Sequence, residues 1–141
     1  MTDPIPSHPL FKAAAFERDE RYRVYPDAIR KGLITRDVAQ ADCNAWVAIT
    51  DTLAAGIDDG SLRSWFDTSP RELLLALDRA RVNRAKAIER APDAEARAAL
   101  MARQENVAAI DKIFRARTRF CVNVTEALQA RAHHQPERMA A

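Results

Sequence analysis

Apolar positions recur along the chain at three- and four-residue steps, the spacing of helices rather than the alternation of strands. Ala39, Cys43, Trp46, Ile49, Leu53 and Ile57 draw one apolar face, on a helix that Thr35 is placed to cap and Asp58 to Gly60 to close. An earlier helix is expected from about His8 under a Ser7 cap, with Leu10, Phe11, Ala14 and Ala15 on one side. Pro26 is expected to end or kink that helix, because its ring removes a donor and crowds the preceding turn. Gly32 suits the left-handed position after a helix C-terminus. The run Ser69, Pro70, Arg71, Glu72 combines a capping serine, a proline at the first helical position and a glutamate at the third, and starts a helix that should reach about Ala91. Pro92 and Asp93 then open a last helix whose periodicity continues to about Arg131.

That last helix would hold roughly 40 residues and span about 60 Å, against about 32 Å for the helix before it. The predicted fold is an all-α bundle with a long C-terminal antiparallel helical hairpin. It forms one domain of 141 residues, with 1–7 and 133–141 as flexible tails. A chain of this length buries roughly two thirds of its unfolded surface. In heptads, Leu100, Val107, Phe114, Cys121 and Leu128 take d, while Ala96, Arg103, Ile110, Arg117, Val124 and Arg131 take a. The shorter arm reaches only half of the longer one. Phe114, Phe120, Cys121, Val124 and Leu128 therefore need cover from the first two helices or from a second chain.

Arginine interrupts these stripes. Leu74, Leu77, Arg81, Arg84, Ile88 and Ala91 follow alternating three- and four-residue steps, and Arg103 and Arg117 repeat the pattern opposite. A buried guanidinium is costly unless paired, and the carboxylates nearest in sequence are Asp78, Glu105 and Asp111. Two accounts stand. Either the aliphatic stems pack while the heads reach a rim, or the seam is a groove for an acidic partner, a like chain or a nucleic-acid backbone. On the second account Arg81, Arg84, Arg103, Arg117 and Phe120 form the partner-binding set. Lys112, Arg115 and Arg119 fall on a different face at i, i+3 and i+7, a stripe that would suit sequence-tolerant nucleic-acid binding; the phenylalanines beside them read as core.

Charge is divided along the chain. Residues 1–70 hold 8 Lys and Arg against 11 Asp and Glu, and residues 71–141 hold 14 against 9, so a half at −3 precedes a half at +5; either the two attract each other, or the basic half faces an acidic partner or a nucleic-acid backbone. Candidate chemistry is sparse. Three glycines exclude a glycine-rich phosphate loop, and no CxxC or HExxH spacing occurs. The histidines are His8 and the pair His133 and His134. Glu17 and Glu20 share a helix face, but no second acidic motif completes a magnesium site. Cys43 and Cys121 lie far apart on apolar faces, as reduced thiols would. No catalytic residue, metal or cofactor is expected, and a non-catalytic interaction protein is. No window approaches 18 apolar residues and the N-terminus lacks a signal pattern, which points to a cytoplasmic protein without membrane contact. Trp65 and Phe66 read as a core plug or, alternatively, as an exposed anchor for a partner. Asp27 to Ala41 has helix-turn-helix spacing, but Asp37 and Asp42 on its second helix favour an ordinary corner.

Arg23 to Ile49, through Tyr25, Pro26, Gly32 and Ala39, resembles small uncharacterised proteins of phages and prophages in GC-rich bacteria. Arginine outnumbering lysine 18 to 4 agrees with such coding. The resemblance implies a phage-related setting, in which a modulator or assembly component would fit.

Overall fold

The N-terminal segment shows how the chain closes on itself. In the computed structural model, which describes residues 7–55 and 68–116, the Ser7 hydroxyl donates to the Ala54 carbonyl at 3.0 Å and the His8 amide to the Leu53 carbonyl at 2.9 Å. Those carbonyls belong to the last turn of a helix, beyond the reach of its regular i+4 donors. Ser7 therefore caps a distant C-terminus, not the helix that follows it. That helix, α1, runs from Phe11 to Arg30, later than expected, and Leu10 precedes it without a side-chain cap.

Pro26 does not end α1, which continues through it to Arg30. Its missing N–H frees one carbonyl, that of Tyr22, on a turn whose side chain is exposed and where water can serve as donor. The helix stops at Gly32, where φ is +71°. There the Gly32 amide donates to Ile29 at 3.1 Å and the Leu33 amide to Ala28 at 2.9 Å, a Schellman pair.

Helix α2 spans Arg36–Ala54, and the Thr35 hydroxyl accepts from the Val38 amide at 3.2 Å. Helix α3 spans Pro70–Glu89, and the Ser69 hydroxyl accepts from the Glu72 amide at 3.2 Å. Asp93 opens α4, helical over 94–116, by accepting from the Ala96 amide at 2.7 Å. No strand occurs among the described residues.

All four described helices feed one core: Ala14 from α1, Ala45, Trp46, Ala48, Ile49 and Leu53 from α2, Leu73, Ala76, Leu77 and Ala80 from α3, and Val107, Ile110 and Phe114 from α4. Several of these are alanines, which let helix axes approach closely around the larger side chains. Phe114, only 1% exposed, finds its cover inside the chain. On α3 the buried face is turned from the expected one. Leu73, Ala76, Leu77, Ala80 and Arg84 face inward, whereas Leu74 is only partly buried and Arg81 is exposed. Contacts between α3 and α4 run in opposite chain order: the Gln104 amide donates to the Arg81 carbonyl at 3.3 Å, Arg81 pairs with Asp111, and Arg115 pairs with Asp78. The rest of the expected long arm, with Arg117, Phe120 and Cys121, lies outside the described residues, as do Trp65 and Phe66.

Candidate interaction site

The polar part of the interior is built on two carboxylates, Glu17 of α1 and Asp42 of α2, each only 2% exposed. Arg84 Nη2 donates to both Glu17 oxygens at 2.6 Å, Arg21 Nη1 to Oε2 at 2.9 Å, and Arg103 Nε and Nη2 at 3.3–3.4 Å. Asp42 accepts from Arg21 Nε at 2.9 Å, from Arg79 Nη1 at 2.8 Å and from the Tyr25 hydroxyl. Arg21 bridges the two carboxylates and lies 4.5 Å above the Trp46 ring, a cation–π contact over an indole whose N–H has no partner among the described residues. Burial pulls the Arg84 guanidinium below its ordinary pKa, and Glu17 opposes that shift. Burial, then the bond to Asp42, pushes the Tyr25 hydroxyl well above its ordinary value.

Outside this network, α1 and α2 leave a groove of about 170 Å³ lined by Tyr22, Tyr25, Pro26, Ile29, Ala39 and Cys43, with Arg21, Arg36 and Gln40 at its polar edge. Tyr22 is 52% exposed, and Leu33 and Val38 stand exposed in the adjoining corner and first turn of α2. Among the described residues the Arg36 side chain makes no ion pair or hydrogen bond. Burial raises the pKa of the free Cys43 thiol, and Asp42 adds to the shift, which disfavours the thiolate. A second cleft, also about 170 Å³, lies between α1 and α4, lined by Ala13, Phe16, Glu17, Arg103 and Asn106.

The arginines singled out for the seam are placed differently from one another. Arg84 is 8% exposed and bound to Glu17, and Arg103 is half-buried on the same carboxylate and stacks 4.5 Å over Phe16. Arg81 is exposed and 3.3 Å from Asp111. Arg117 and Phe120 lie outside the described residues. In the basic stripe, Lys112 is exposed, Arg115 pairs with Asp111 at 2.9 Å and Asp78 at 2.8 Å, and Arg119 lies outside the described residues. Spacing alone overlooked Asp42, Arg21 and Arg79 as a set. It also left Glu17 without its role, since three arginines occupy the oxygens that a metal would need. The signal in the sequence was the −3 and +5 halves: Glu17 with Arg84 and Arg103, and Asp42 with Arg79, join one half to the other. Compared with protein-family models, with curated proteins and with solved structures, the chain matches none.

Proposed function

We propose that this chain is a non-catalytic helical interaction protein that grips a protein partner in the groove between α1 and α2. The observation that carries the reading is the groove itself: an apolar trough with exposed aromatic surface and one cation, Arg36, that the described fold does not use. Its volume admits one large side chain, and Arg36 at the edge favours a carboxylate beside it. The partner is thus a segment that presents an aromatic or aliphatic residue next to an acidic one. The phage or prophage setting implied by residues 23–49 suits a modulator or assembly component acting in this way. The internal engagement of Arg84 and Arg103 moves the weight of the reading from the arginine seam to the groove.

The test is capture from a lysate of a GC-rich bacterial host by the tagged full chain, with and without nuclease, alongside Arg36→Glu and Tyr22→Ser. The reading predicts a defined protein that survives nuclease and is lost from both variants. Capture that vanishes with nuclease would overturn it and shift attention to Lys112 and the nucleic-acid reading, where affinity should fall steeply with salt.

A further inference from the structure

We infer that the cleft between α1 and α4 binds a small organic anion, a carboxylate or phosphate carried on a short apolar body, with Arg103 and Asn106 as its ligands and Phe16 as its wall. The inference is independent of the α1–α2 groove and begins with charge. Four guanidinium groups, Arg21, Arg79, Arg84 and Arg103, surround two carboxylates, Glu17 and Asp42, so +4 against −2 leaves two positive charges in a half-buried cluster. Glu20 also feels Arg103 and Arg84, but Arg23 already pairs with it at 2.8 Å. Excess charge held away from bulk water attracts an external counter-ion.

Geometry says where that ion sits. Glu17 is bound at 2.6 Å by Arg84 and at 2.9 Å by Arg21, while Arg103 stays at 3.3–3.4 Å. The two closer arginines more than neutralise Glu17, so the carboxylate does not repel an anion that approaches Arg103. Arg103 uses Nε and Nη2 on Glu17; its Nη1 makes no hydrogen bond among the described residues, and its side chain is 29% exposed. The exposed Asn106 amide, likewise without a partner there, lines the same cleft. Guanidinium and amide donors on one cleft are a match for a carboxylate or phosphate. Ala13 and Phe16, the latter 48% exposed, supply the apolar wall that an organic body would cover and a bare inorganic ion would not. The space of about 170 Å³ accommodates one ring with its acid group.

Backbone amide NMR shifts of the full chain, titrated with benzoate, phenyl phosphate, inorganic phosphate and benzyl alcohol at constant ionic strength, test this. Benzoate and phenyl phosphate should give saturable shifts centred on Phe16, Arg103 and Asn106, with inorganic phosphate weaker and benzyl alcohol inert. Arg103→Gln should weaken binding about tenfold or more, as expected for a lost charge-assisted hydrogen bond. If that variant loses its fold, the exposed Asn106→Leu carries the test, predicted to keep the fold and bind at least about threefold more weakly. Shifts that fail to saturate, inorganic phosphate binding as well as the organic anions, or unchanged affinity in the folded variant would each overturn the assignment.

Discussion

Glu17 sits where three helices bring their arginines together, and removing its charge leaves Arg84 buried beside Arg21 and Arg103 with nothing to balance them. Glu17→Gln should therefore cost about 3 kcal/mol in denaturant unfolding, the scale of a broken buried pair. Arg103→Gln, whose partner is more distant and whose head is partly in water, should cost no more than about 1 kcal/mol. Equal costs would contradict this ordering. Tyr25 sets a pH limit. Its folded pKa is raised, so its contribution is present below the unfolded value near 10 and is lost as pH rises toward the folded one, because the unfolded chain gives up the proton first. Stability should fall above about pH 10 in the wild type, and less steeply in Tyr25→Phe; parallel curves would refute it. Apart from Arg21, one turn along α1, these partners were not legible locally. Arg84 meets Glu17 across 67 residues and Arg103 across 86, while a periodicity argument looks a turn or two away.

At the scale of elements, local chemistry was more readable. Thr35, Ser69 and Asp93 each accept an amide at the start of a helix, and Gly32 closes α1, because caps and left-handed glycines depend on neighbours within three or four residues. Gly32→Ala should lower stability by about 1 kcal/mol. A Cβ there would meet nothing within 4 Å, so the whole cost is backbone strain at φ +71°. Ser69→Ala should lose a similar amount, about 1 kcal/mol, read from the unfolding midpoint. Two local signals act differently in the fold: Ser7 does not cap α1, and Pro26 does not end it. Ser7 bonds to the end of α2, and Pro26 sits in a turn whose freed carbonyl faces solvent. The face of α3 is turned by one position from the expected one: Leu73 and Leu74 fit helical spacing equally well, and the buried alanines at 76 and 80 fall with Leu73.

Across the whole molecule, an acidic first half is closed onto a basic second half by ion pairs that lie inside the fold, and the all-helical class was legible from apolar spacing throughout. No helix among the described residues is long and apolar enough to cross a membrane. The groove between α1 and α2 was not visible beforehand, because its lining comes from two helices packed side by side and not from a motif. The proposed partner would seat in that groove, while Arg84 and Arg103 are engaged by Glu17. The most direct measurement places a photoreactive residue at Tyr22 or at Arg81 in the full chain and compares cross-linking in a nuclease-treated host lysate. The account predicts a discrete cross-linked protein from position 22 and none from position 81. A cross-link from position 81 alone would contradict it and return the partner to the arginine seam.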